Sequence, residues 1–145
     1  MKSIHIACPD CNAINRLSSE RIKDHPVCGR CKKPLFTGNP IELNDQNFTR
    51  HIERNDIPVV VDFWAPWCGP CKTMTPVFKT AAKNLEPALR FAKLNTDQAQ
   101  DIAAQYSIKS IPTLIVFASG KDIARQSGAM GQTDLIRWLK QFCNA

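Results

Sequence analysis

Pro58-Val59-Val60-Val61-Asp62-Phe63-Trp64-Ala65-Pro66-Trp67-Cys68-Gly69-Pro70-Cys71-Lys72 is the stretch whose reading decides the fold. Its first half is β-branched and aromatic, with no polar residue before Asp62, the pattern of a central strand covered on both faces. Its second half opens a helix over residues 69–86, with Met74, Val77, Phe78, Ala81, Ala82 and Leu85 at helical spacing. Pro70 falls in the first turn, where its missing N–H costs little. Pro76 lies inside the helix and is expected to kink it. A thiol at such a helix N-terminus sits near the positive end of the macrodipole, which favours the thiolate. The Cys-x2-Cys spacing therefore predicts one exposed nucleophile, Cys68, and a more shielded partner, Cys71, able to attack the sulfur that Cys68 has joined.

Working outward, Pro40 to Leu43 reads as a short strand, and Asn44 or Asp45 as the cap of a helix through Phe48, Ile52 and Arg54. Downstream, Leu89 to Leu94 reads as a strand, Gln98 to Tyr106 as a helix and Thr113 to Phe117 as a strand. Ser119-Gly120 suits a hairpin turn into Asp122 to Ser127. A last helix starts near Thr133, with Leu135, Ile136, Trp138, Leu139 and Phe142 on its apolar face. The order β-α-β-α-β-α-β-β-α predicts an α/β fold, a mixed sheet covered by helices.

Residues 1–39 have another character. They hold four of the chain's seven cysteines, Cys8, Cys11, Cys28 and Cys31. The larger apolar residues there are few: Ile4, Ile6, Ile14, Leu17, Ile22, Val27, Leu35 and Phe36. Burying so few side chains contributes little against the entropy of ordering nearly forty residues. Domains this short usually need a metal or disulfides. The Cys-x2-Cys…Cys-x2-Cys spacing, with sixteen residues between the pairs, fits one structural zinc ion per chain. Free or disulfide-linked cysteines are the alternative. His5 and His25 lie nearby and read as ordinary polar residues, because four sulfurs already complete a tetrahedral shell. Two prolines and a glycine over residues 33–40 place the domain boundary at 39/40.

The remaining composition excludes several classes. The chain has 145 residues, 43% hydrophobic and 22% charged, which argues against disorder. The odd cysteine count rules out a fully paired disulfide scaffold within the chain. The apolar runs Ile57–Val61 and Leu114–Ala118 fall far short of the ~20 residues a spanning helix needs. Without a signal-like start, a cytoplasmic location is expected, where cysteines serve metals or redox chemistry more than structural bridges. The formal charge of +6 suggests a nucleic-acid partner at first sight. The first 40 residues carry seven basic residues against three acidic ones. Four zinc-bound thiolates would cut that excess by two charges, and no aromatic ladder accompanies it. Nucleic acid is not an expected partner.

Asp62-Phe63-Trp64-Ala65-Pro66-Trp67-Cys68-Gly69-Pro70-Cys71-Lys72, with Ser110-Ile111-Pro112-Thr113 downstream, resembles the thioredoxin family over roughly residues 40–145. The four N-terminal cysteines make the whole chain similar to the bacterial branch of that family that carries an N-terminal zinc-binding domain. The resemblance implies a thioredoxin fold behind a small zinc-ribbon-like domain. It implies a protein-disulfide reductase with Cys68 as nucleophile and Cys71 resolving, cycling between dithiol and disulfide. Asp62 matches the family's buried carboxylate, a proton acceptor and donor for Cys71, and Lys93 matches the lysine that tunes it. Pro112 matches the cis-proline beside the site. Trp67, Gly69, Pro70, Ile111 and the segment ending at Gly131 match the substrate-docking surface, Gly131 only approximately. Implied partners are disulfide-containing proteins and an NADPH-dependent thioredoxin reductase, with the chain acting as a monomer. Uncharged Pro70 inside the motif favours reduction over oxidation. Trp64 is expected to pack beside the site and Cys143 to be a passive thiol. A redox-responsive zinc-binding sensor or chaperone is the alternative function.

Overall fold

In the computed structural model, which describes residues 2–143, the parity of one strand organises the molecule. Strand β4 (Val59–Trp64) points Val59, Val61 and Phe63 to one face and Val60 to the other. Each face is covered, as an uninterrupted apolar strand requires. The first face packs with Phe48 and Ile52 of α1 (Phe48–Glu53) and with Ile102 of α3 (Gln100–Gln105). The second packs under α2 (Gly69–Leu85) and α4 (Gln132–Lys140) through Met74, Phe78, Ala81, Leu135 and Leu139. Asp62 shares the parity of Val60, so the strand delivers its carboxylate to the face that α2 covers.

Around β4 lie β3 (Ile41–Leu43), β5 (Arg90–Asn95), β6 (Thr113–Ala118) and β7 (Lys121–Ser127), in the order β3-β5-β4-β6-β7. Strands β3, β4 and β5 run parallel, while β6 and β7 are antiparallel to their neighbours, which makes the sheet mixed. Every expected element from residue 40 onward is present, with ends moved by a few residues. The helix expected from Gln98 starts at Gln100 because Asn95 organises the turn before it: its side-chain oxygen accepts the Asp97 N–H at 3.0 Å and its carbonyl accepts the Ala99 N–H at 3.1 Å. The last helix stops at Lys140 rather than Phe142, closing in a turn.

The first 39 residues contain a hairpin-like pair, β1 (Ser3–Ala7) and β2 (Ile14–Ser18), that the sequence reading did not anticipate. β1 alternates over Ser3-Ile4-His5-Ile6 with Ile4 and Ile6 buried, but the run is only five residues long, and β2 buries no residue fully. Ile4, Ile6 and Leu35 are buried together with Ile57, which comes from outside the segment, whereas Val27 is 54% exposed. This small cluster is thus completed by the loop that leads into β4. The contact lies at the starting ends of β4 and β5. The Ala7 N–H donates to Asn55 Oδ1 at 2.9 Å, the His5 N–H to Asp56 Oδ2 at 2.7 Å, and Arg50 Nε to the Asn12 carbonyl at 2.6 Å. Arg90 is fully buried there. Its Nη2 donates to the Ala7 carbonyl at 3.1 Å, its Nη1 stands 3.7 Å from Glu86 Oε2, and its guanidinium lies 4.4 Å from the Phe36 ring centre. No helix among the described residues is long and apolar enough to cross a membrane.

Candidate functional site

Cys68 stands at the N-cap of α2 in extended backbone, with Gly69 and Pro70 opening the helix and Cys71 in its first turn. The two cysteines are joined as a disulfide. The Cys71 N–H donates to Cys68 Sγ at 3.2 Å, so an unpaired helix-terminal amide already faces the sulfur on which negative charge would develop. Both cysteines are nearly covered in this oxidised form, Cys68 at 4% and Cys71 at 1% exposure. The expected exposed nucleophile is therefore more sheltered than spacing alone suggests, because Trp64, Ala65 and Ile111 pack against the pair.

The loop before β6 brings the downstream motif to the same place. Cys68 Sγ lies 3.6 Å from the Ile111 carbonyl oxygen, and the Ile111–Pro112 peptide is cis. The Pro112 carbonyl accepts the Gly128 N–H at 2.8 Å, and the Met130 N–H approaches Met74 Sδ at 3.5 Å. Gly128 thus joins the rim, at a φ of +93° that favours glycine. Gly131, at the end of the same segment, N-caps α4 in extended backbone with open space around it. Trp67 projects from the rim, 70% exposed. Its indole N–H donates to Asp97, 3.0 Å from Oδ2 and 3.3 Å from Oδ1. Sequence reasoning missed Asp97, because a bond spanning thirty residues leaves no periodic trace.

Asp62 is 1% exposed on the covered face, and burial pushes its carboxyl up to about 7, a rise that the charge of Lys93 opposes. Lys93 is the register partner of Asp62 across β4 and β5, and its ammonium lies 4.5 Å from the Trp64 ring centre. Trp64 therefore packs beside the site as expected. Cys143 is half-buried on the α4 side, its Sγ 3.7 Å from the Leu139 carbonyl.

Away from this site, the sulfurs of Cys8, Cys11, Cys28 and Cys31 all lie within 4.8 Å of one another. Cys8 and Cys31 approach to 3.6 Å, as do Cys11 and Cys28. Tetrahedral metal–sulfur bonds of about 2.3 Å require sulfurs about 3.8 Å apart, so the cluster fits a four-coordinate ion. Backbone N–H groups of Asp10 and Cys11 point to Cys8 Sγ, and those of Arg30 to Cys28 Sγ. Such donors spread thiolate charge around a metal. Burial pushes the Cys8 thiol up to about 12, whereas hydrogen bonds from the Cys31 amide and Asn15 hold Cys28 at about 6. A central cation would relieve the cost of ionising the buried sulfur. His5 is turned away, bonded to Asp56.

Comparison with known proteins follows the same division. The thioredoxin family model matches residues 39–141. The chain belongs to the thioredoxin family. A second family model, described as "Thioredoxin 2, N-terminal", matches residues 7–33 and covers the four clustered cysteines. A relative named thioredoxin C-3, from Corynebacterium nephridii, is 43% identical over 136 residues, covering 94% of this chain and 93% of its own. A thioredoxin from Porphyra purpurea is 42% identical over 101 residues, which is 70% of this chain and 94% of that one. Among solved structures, a mutant thioredoxin from Halobacterium salinarum superposes with a TM-score of 0.68 at 27% identity, covering 76% of this chain and 96% of its own. As a thioredoxin, the chain is a thiol–disulfide oxidoreductase with a redox disulfide, preceded by a zinc-ribbon segment whose four cysteines cluster closely enough to hold a metal ion.

Proposed function

We propose that the chain is a cytoplasmic protein-disulfide reductase in which Cys68 attacks and Cys71 resolves. The observation that carries this reading is the redox pair at the α2 N-terminus, with the Cys71 amide on Cys68 Sγ and the cis Ile111–Pro112 peptide beside it. In the reduced form, the Cys68 thiolate attacks one sulfur of a substrate disulfide, and the other substrate sulfur leaves as a thiolate. Cys71 then loses its proton to the Asp62 carboxylate and attacks Cys68 Sγ. The second substrate sulfur leaves and both substrate thiolates take up protons. Two electrons pass to the substrate, and Cys68–Cys71 ends as the disulfide. Lys93 tempers the rise that burial imposes on Asp62, which keeps the carboxyl able to exchange its proton near neutral pH. Trp67, Gly69, Pro70, Ile111 and Pro112 offer the docking rim.

NADPH-dependent thioredoxin reductase returns the disulfide to the dithiol, and the chain works as a monomer. Residues 1–39 form the ribbon domain and 40–145 the catalytic one. Zinc fits the four sulfurs best, because a tetrahedral all-thiolate site is a structural zinc arrangement. Cys8, Cys11, Cys28 and Cys31 would hold it, and its contribution would be to folding, not turnover.

The test is reduction of insulin disulfides coupled to NADPH and thioredoxin reductase. Wild type should turn over, and Cys68→Ser should lose nearly all activity; full activity in Cys68→Ser would overturn the mechanism. Native mass spectrometry should find one zinc per chain, and a folded, metal-free ribbon would remove the zinc assignment.

A further inference from the structure

We infer that Asp97 is a positioning residue for substrate docking, acting by holding the Trp67 indole in one orientation at the rim of the redox site. The inference rests on the reductase reading and on three observations. Trp67 immediately precedes Cys68 and is 70% exposed, so packing alone does not fix its ring. Its one polar atom is engaged by both carboxylate oxygens of Asp97. Asp97 itself is held from both sides. Asn95 Oδ1 accepts its N–H at 3.0 Å, and its own carbonyl accepts Gln100 Nε2 at 3.3 Å.

The turn carrying Asp97 is also fastened to the strand that leads into the redox loop. The Trp64 carbonyl accepts both the Thr96 N–H, at 2.9 Å, and the Thr96 hydroxyl, at 3.2 Å. The carboxylate thus stands at a fixed place relative to residues 64–68, and the indole N–H meets it there. An exposed indole free to rotate would lose rotamer entropy on each docking event; one already oriented loses less. Orientation fixed before binding should appear in KM rather than in kcat, because Asp97 touches neither sulfur.

The test compares Asp97→Ala, Asp97→Asn, Trp67→Ala and the Asp97→Ala/Trp67→Ala double variant. Asp97→Ala should raise KM for a protein disulfide about threefold to tenfold with kcat within about twofold of wild type. Asp97→Asn keeps an acceptor oxygen and should lie closer to wild type than to Asp97→Ala. In the Trp67→Ala background, Asp97→Ala should have little further effect. Nitrogen-edited NMR gives a readout independent of turnover: the Trp67 indole N–H should shift and exchange faster with solvent in Asp97→Ala. An unmoved indole signal would overturn the inference. So would an Asp97→Ala effect that persists in full without Trp67, a loss confined to kcat, or an Asp97→Asn variant as impaired as Asp97→Ala. If wild type itself fails to reduce disulfides, the reductase reading falls, and the indole signal still decides whether Asp97 orients Trp67.

Discussion

Asp62 has one carboxylate oxygen, Oδ1, without a hydrogen-bond partner among the described residues, and burial raises its carboxyl to about 7 from the ordinary 3.8. A carboxyl raised on folding binds its proton more tightly in the native state. Its contribution to stability is present in full below 3.8, declines as pH rises, and is gone above 7. Replacing it by a neutral isostere should remove that decline. Asp62→Asn is expected to be more stable than wild type at pH 8, by at most roughly 4 kcal/mol, and nearly equal to it at pH 4. Urea denaturation of the oxidised proteins at the two pH values checks this; equal midpoints at pH 8 would contradict it. The same variant should slow release of the mixed disulfide, seen as a longer-lived Cys68 adduct in quenched-flow trapping. The position of Asp62 was legible in the sequence as a single acid in an apolar strand. Its orphaned oxygen was not, since that depends on what α2 lays over it.

At the level of elements, the segment between β7 and α4 separates two glycines that look alike in sequence. Gly128 has a φ of +93° and an N–H bonded to Pro112, whereas Gly131 has a φ of −75°. A Cβ would meet nothing within 4 Å at either position. Backbone conformation should then set the cost at Gly128 and the N-cap preference the cost at Gly131. Gly128→Ala is expected to cost about 1–2 kcal/mol, and Gly131→Ala less, about 0.5–1 kcal/mol, because glycine is preferred to alanine at an N-cap. Equal thermal midpoints for the two variants would refute this. Elements from residue 40 onward could be read in advance because their apolar periods are long and strong, as in Pro58 to Trp64 and in α2. Strands β1 and β2 could not, because their residues serve a cysteine cluster and a neighbouring sheet rather than a face of their own. The turn at Asn95 escaped for a related reason. A side chain bonding its own backbone two residues on shortens a helix without disturbing the hydrophobic pattern.

Across the whole molecule, the ribbon and the larger sheet share buried polar groups. Arg90 depends on the Ala7 carbonyl, the Phe36 ring and Glu86. His51 gives its Nε2 to Asn12 Oδ1 at 2.8 Å and is held at about 4 by burial and by the charges of Arg90 and Arg50, against an ordinary 6.5. A histidine lowered on folding contributes stability that is full above 6.5 and lost as pH falls toward 4. His51→Gln should therefore flatten the decline in urea stability between pH 6.5 and pH 4, most clearly in an Asp62→Asn background; an unchanged slope would exclude His51 as its source. Stripping the ribbon of metal should loosen the contacts that compensate Arg90. One melting transition is expected, lowered by roughly 10 °C, since an uncompensated buried charge costs about 3–5 kcal/mol. Retention of the original midpoint after complete chelation would show that the two parts are energetically independent.

The contact between ribbon and sheet lies at the starting ends of β4 and β5, while Cys68 follows the far end of β4. Six strand residues at about 3.3 Å each leave roughly 20 Å between them. Thiol–disulfide exchange requires sulfur-to-sulfur contact, which that gap prevents within one chain. Should the ribbon thiols ever be oxidised, the redox pair of the same chain could not reach them, and repair would be a bimolecular event. Its rate would rise with protein concentration, unlike the attack of Cys71 on Cys68 within one chain.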